Sequence, residues 1–257
     1  MKRSNFPLII TLLVICFLYI PMIIMGINSF NASRYGTEWT GFTLKWYELL
    51  WTKKRLWSAL GNSLLIGSSA ALFSTVLGTL SAFAFYRFKS KLQNLHYAFV
   101  YIPLMMPDIL MGISLLLVFV SFSIPLSLVT VFIAHVTFCV SYVTLVILSR
   151  LQHFDYSTIE AALDLGASPP LIIWKIVLPQ LLPALISGAL LAFTVSIDDY
   201  IITFFVSGPG STTLPLEIYS LIKSGATPVI NALSTLLLSL TFLTVPFIHF
   251  FSEEVQS

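Results

Sequence analysis

The sequence predicts an all-α integral membrane protein with six transmembrane helices and a structured cytoplasmic loop between helices four and five. Three observations predict it. Of 257 residues, 57% are hydrophobic and 9% charged, against about 25% charged in soluble domains, and the mean hydropathy is +0.94. Apolar runs of about 20 residues, each long enough to cross the hydrocarbon layer, recur at 7–29, 60–86, 95–120, 126–149, 181–206 and 232–251. Lys and Arg are unevenly shared between the short connections.

The first run follows "MKRSN" and continues from Pro7 to about Ile27 with no small-x-small cleavage pattern. It is expected as a retained helix, not a secretory signal. Residues 1–59 are therefore assigned to an N-terminal helix and an external loop. The second run, "GNSLLIGSSAALFSTVLGTLSAFAF", is dense in Gly, Ala and Ser, which let helices approach closely in lipid. In the third, Pro103 and Pro107 remove backbone donors and predict a break or kink lining a cavity.

Orientation follows the basic residues. Arg87, Lys89 and Lys91 lie between runs two and three, Lys2 and Arg3 precede run one, and "SFSIPLS" between runs three and four has none. Both termini and the loop between runs four and five are expected in the cytoplasm. Lys53, Lys54 and Arg55 vote the other way and are outnumbered. With 13 basic and 11 acidic residues, no basic face is available for nucleic acid. Cys16 and Cys139 fall inside apolar runs, so no disulfide is expected. His135 and Cys139 stand four apart, but without a third ligand nearby they are read as packing, and no metal site is expected.

The loop, 158–179, keeps a regular pattern. Thr158 can cap a short helix with Glu160 and Asp164 on one face and Ala161, Ala162 and Leu165 on the other. Gly166 permits a sharp turn. Pro169 and Pro170 suit the first turn of a second short helix, and Pro179 begins run five. The series Glu160, Ala161, Ala162, then Gly166, then Ile176, Val177, Leu178, Pro179 resembles the EAA loop of ABC-importer permeases. The resemblance covers residues 60–250 and implies the transmembrane domain of such a permease, with 251–257 as a cytoplasmic tail. It further implies that the loop docks on a separate ATPase and transmits its closure. ATP and Mg would then belong to that partner, and this chain would bind no cofactor. No G-x-x-x-x-G-K-[ST] is present to cradle phosphates.

Ionisable groups in a span cost about 2.5–3.5 kcal/mol each at its centre, so each asks for a reason. The candidates are all acidic: Asp108 in run three, Asp198 and Asp199 in run five. A pathway lined by carboxylates alone selects cations. On a continuous helix, Asp199 shares a polar stripe with Ser196, Thr203 and Ser207 and is expected to face the pathway, while Asp198 faces a neighbouring helix. Asp108, just after Pro107, is a candidate cap for a restarted helix.

The stretches "FTVSIDDYIITFFVSGPGSTTLPLEIYS", "MMPDILMGISLL" and "INSFNASRYG" resemble the spermidine/putrescine branch of these permeases, of the C type. That implies a polyamine as cargo, with Tyr200, Phe204, Phe205 and Tyr219 as aromatic neighbours suited to cations. It also implies a homologous permease, two ATPase subunits and an external polyamine-binding protein as partners in a bacterial inner membrane. Glu217 and the ending "SEEVQS" stand where that branch carries basic residues. A permease for another cationic or metal-bearing solute is the alternative. From other classes, an intramembrane hydrolase would need convergent carboxylates, which adjacent helical residues do not supply. A secondary transporter or channel would leave the loop without work to do.

Overall fold

The computed structural model describes residues 6–34, 38–88, 91–225 and 227–254, without the side chains of 7, 227 and 242–254. Lys2, Arg3, Lys89 and the end of the tail lie outside the described residues. Among the described residues the regular secondary structure is helical, apart from one isolated bridge, Asn31 to Phe42. The helices are α1 (Phe6–Asn28), α2 (Lys45–Thr52), α3 (Lys54–Arg87), α4 (Gln93–Met105), α5 (Asp108–Ser121) and α6 (Leu128–Gln152). They continue as α7 (Ser157–Asp164), α8 (Pro169–Ile172), a π-helical stretch (Ile173–Val177), α9 (Leu178–Asp198), α10 (Ile201–Val206), α11 (Leu214–Lys223) and α12 (Thr227–Glu254).

Among the described residues, four helices are long and apolar enough to cross a membrane: Leu8–Asn28, Lys54–Arg87, Leu128–Gln152 and Pro169–Asp198. The break or kink expected in the third run is a break. The run forms two helices, α4 and α5, bent by 112° at the break before Asp108. The cause is local: Pro107 has no N–H to continue α4, and its carbonyl instead opens α5 by accepting from the amides of Leu110 and Met111. Counted as one, the pair makes a fifth span; the described apolar part of the last helix, Pro228–Thr241, is shorter.

The chain divides into two compact units, Met1–Trp57 with Glu217–Ser257, and Ser58–Leu216. In the first unit α12 packs on α1 and α2. The outer face of α1 carries Leu8, Leu12, Phe17, Leu18 and Ile23 exposed, as a lipid-facing helix does. The loop after it is tied down by Asn31, whose side chain accepts from the amides of Ser33 and Thr40 and donates to the Glu38 carbonyl.

The second unit is organised around α6, whose face from Thr130 to Leu151 is buried. Ser127 opens the helix: its hydroxyl accepts from the Val129 amide, and its own amide donates to the Thr130 hydroxyl. α6 packs most extensively on α9, and α10 on α5. Small residues allow this. A Cβ at Gly78 would lie 2.8 Å from Val143 of α6, and one at Gly188 of α9 would lie 3.3 Å from the same residue.

Candidate functional site: an acidic cavity beside a broken helix

The fifth run is where structure and sequence pattern differ most. A helix was expected through 206, but α9 stops at Asp198. Asp199 has extended backbone, φ −66° and ψ 125°, and α10 begins at Ile201. The reason lies in Asp199 itself. Its carboxylate accepts from the amides of Ile202 and Thr203 at 3.2 and 2.8 Å and from the Thr203 hydroxyl at 2.7 Å. An acid that caps the next helix competes with propagation of the last one.

The same carboxylate meets His135 of α6, with Nε2 3.4 Å from Oδ2. His135 is 1% exposed and bridges both sides of the break: Nδ1 lies 2.7 Å from the Ser196 hydroxyl and Nε2 lies 2.9 Å from that of Thr203. The Thr203 proton is committed to Asp199, so Nε2 donates to Thr203; in the neutral ring Nδ1 then accepts from Ser196. Four polar side chains thus satisfy one another inside an apolar core.

The break faces a cavity of about 470 Å³ lined by Asp108, Asp198, Asp199 and Tyr200, with Pro103, Met111, Phe138, Tyr142 and Thr194 among the walls. Asp108 and Asp198 are exposed, whereas the Asp199 side chain is 8% exposed. The polar stripe Ser196–Asp199–Thr203 therefore exists, but it gathers on His135, and the acid left open to the cavity is Asp198. Asp108 does not cap α5. It sits in the first turn behind Pro107, with no side-chain capping bond, where a negative charge suits the helix dipole.

Tyr200 lines the cavity; Tyr219 lies on α11 in the other unit, its ring centroid 4.8 Å from Lys223 Nζ. Phe204 and Phe205 follow on α10, Phe205 in close approach to Gly112 of α5, where a Cβ would lie 2.7 Å from its ring. The sequence reading passed over Phe138 and Tyr142. With His135 they stand at i, i+3 and i+7, one helical face, and that spacing is the signal that finds them.

The loop between α6 and α9 forms a short helix, a turn and a continuation. α7 holds Glu160, Ala161 and Asp164 exposed and Ala162 buried. Its cap is not Thr158, which lies in the first turn. Asp155 accepts from the Ser157 amide at 3.0 Å, and the Ser157 hydrogen bonds, side chain and backbone, hold its carboxyl below the ordinary value. Gly166 makes the turn with φ +79°. The second short helix is not separate: α8 passes through Ile176 in the π-helical stretch, and Leu178 and Pro179 open α9 without a gap. Pro169 and Pro170 fit the first turn of α8, where missing amides cost nothing. Leu165, 88% exposed, and Trp174, 70% exposed, leave the loop with an uncovered apolar surface.

Comparison with known proteins places this arrangement. The chain is 46% identical over 232 residues to the spermidine/putrescine transport system permease protein PotC of Haemophilus influenzae, covering 90% of each. It is 45% identical over 243 residues to the putrescine transport system permease protein PotI of Escherichia coli, covering 92% of this chain and 86% of that one. Its fold matches a chain of a bacterial ABC transporter involved in import of the acidic polysaccharide alginate, with a TM-score of 0.75 over 97% of this chain and 98% of that one at 15% identity. It also matches a chain of the inward-facing MetNI methionine ABC transporter, with a TM-score of 0.59 over 81% and 96% at 21% identity. Residues 74–252 match the family described as "Binding-protein-dependent transport system inner membrane component". The chain belongs to this family of membrane transport components.

Proposed function

We propose that this chain is the non-catalytic permease subunit of an ATP-driven polyamine importer, forming half of a pathway for spermidine or putrescine across a bacterial inner membrane. The observation that carries the reading is the cavity at the helix break, which presents two exposed carboxylates, Asp108 and Asp198, beside Tyr200, Phe138 and Tyr142. A flexible polycation is held by such a set through ion pairs and ring faces. The likeness to PotC and PotI over about nine-tenths of the chain supports the same cargo.

Residues 60–250 form the transport domain, and the loop 158–179 is its coupling element. Glu160, Ala161, Ala162, Asp164 and Gly166, with Ile176, Leu178 and Pro179, seat it on an ATPase subunit that binds ATP and Mg. The exposed Leu165 and Trp174 support a protein partner there. The full assembly pairs this chain with a homologous permease, two ATPase subunits and an external polyamine-binding protein, and both termini lie in the cytoplasm.

The test is ATP-dependent uptake of labelled spermidine and putrescine into vesicles bearing the co-expressed assembly. Asp108→Asn and Asp198→Asn are expected to lose uptake while the ATPase remains bound, and Glu160→Arg to lose the ATPase. Wild-type vesicles that take up neither polyamine would end the substrate reading, and an ATPase retained by Glu160→Arg would end the coupling one.

A further inference from the structure

The break between α9 and α10 does something that an unbroken helix cannot. Residues two apart on a helix point roughly 200° away from each other, yet Asp198 and Tyr200 both line the same cavity. They do so because Asp199 is extended between them. The break is not caused by Pro or Gly, since the segment reads Ile197, Asp198, Asp199, Tyr200, Ile201. Left alone, such a segment gains a hydrogen bond per residue by continuing as helix. Asp199 caps α10 from within the segment, and a contact from outside it must fix where the two helix ends stand.

The structure points to His135. It is the one side chain on α6 bonded both to the end of α9, at Ser196, and to the start of α10, at Thr203, with Asp199 within 3.4 Å. We propose that His135 is a positioning residue: it clamps the two helix ends and so keeps Asp198 and Tyr200 together on the cavity, without touching the cargo. Its burial fits this, because a ring 1% exposed, with the Phe138 ring centroid 5.3 Å away, has no path to a solute. The idea rests on the pathway reading for its significance to transport, but the clamp is a geometric claim that is tested apart from it.

The experiment uses the assembled complex with Cys16→Ser, since Cys16 is exposed and Cys139 is buried. Asp198→Cys and Tyr200→Cys are made singly, and each is labelled with a charged thiol reagent in the wild-type, His135→Leu and His135→Gln backgrounds. If the clamp holds the break, His135→Leu lets α9 run on, so Tyr200→Cys labels about tenfold more slowly or worse while Asp198→Cys stays within about twofold. His135→Gln, whose amide still donates toward Thr203, restores labelling of Tyr200→Cys. Equal labelling of Tyr200→Cys in the wild-type and His135→Leu backgrounds overturns the proposal and reduces the cluster to packing. Where His135→Leu does not assemble, Ser196→Ala removes one of the two anchoring bonds and is read by the same criterion. Absence of polyamine uptake by the wild type would sink the cargo reading and leave the labelling result intact.

Discussion

Asp198 and Asp199 are adjacent in the chain and opposite in circumstance: Asp198 is exposed to the cavity, while Asp199 is folded back onto Ile202, Thr203 and His135. The same substitution at the two positions therefore has different consequences. Asp199→Ala strands two buried amides and the Thr203 hydroxyl, and is expected to destabilise the chain by about 1–3 kcal/mol. Asp198→Ala removes a solvated charge and leaves the melting temperature in detergent unchanged, with uptake lost. Equal melting temperatures for the two variants would count against this division of labour.

That division also marks what was legible in the sequence. The four long apolar helices, the carboxylates that line the cavity and the helical loop at 158–179 follow from local pattern. The break at Asp199 does not, because no Pro or Gly announces it; Asp199's own bonds to Ile202 and Thr203 are joined by those of His135, more than sixty positions away, to Ser196 and Thr203, and contacts of that separation leave no periodic trace. Pro107 is the opposite case, where the missing N–H predicted a break and only its angle, 112°, needed coordinates. The second loop helix is a similar case: Pro169 and Pro170 signal its start and Pro179 stands in the first turn of α9, but nothing in the composition says that the π-helical stretch will join the two without a gap.

Close packing of α3, α6 and α9 gives a second prediction. A methyl at Gly78 would lie 2.8 Å from Val143 Cβ and Cγ1 and 3.1 Å from the Thr144 amide nitrogen. Gly78→Ala is expected to cost about 1–3 kcal/mol through overpacking. Adding Val143→Ala makes room and should recover part of the loss in melting temperature. A double variant as unstable as the sum of both singles would place the strain elsewhere.

The turn of the loop makes a third. A Cβ at Gly166 meets nothing within 4 Å, so the cost of a side chain there is purely that of the left-handed backbone at φ +79°. Gly166→Ala should strain the turn by about 1–2 kcal/mol, and Gly166→Asn, which visits that region more readily, by less. If the turn presents the loop to an ATPase, co-purification of that subunit weakens in the same order, Gly166→Ala more than Gly166→Asn. Identical retention in both would separate the turn from docking.

The last prediction concerns Glu217, a buried acid of α11. Its side chain is 7% exposed, and its Oε2 has no hydrogen bond but lies 3.3 Å from Nη2 of Arg55, which is 78% exposed. The pair is lopsided. Arg55 is solvated whether or not Glu217 is charged, so it loses little when its partner goes; Glu217 is buried and depends on the guanidinium to offset its lost hydration. Arg55→Ala should therefore destabilise the unit formed by α1, α2 and α12 more than Glu217→Gln does, by about 1–2 kcal/mol after allowance for the exposed partner. In the Glu217→Gln background, Arg55→Ala should then be nearly silent, because the buried charge it compensated is gone. Thermal unfolding of the four proteins closes this cycle, and an Arg55→Ala penalty that persists beside Glu217→Gln would mean that the arginine acts through its packing instead of its charge.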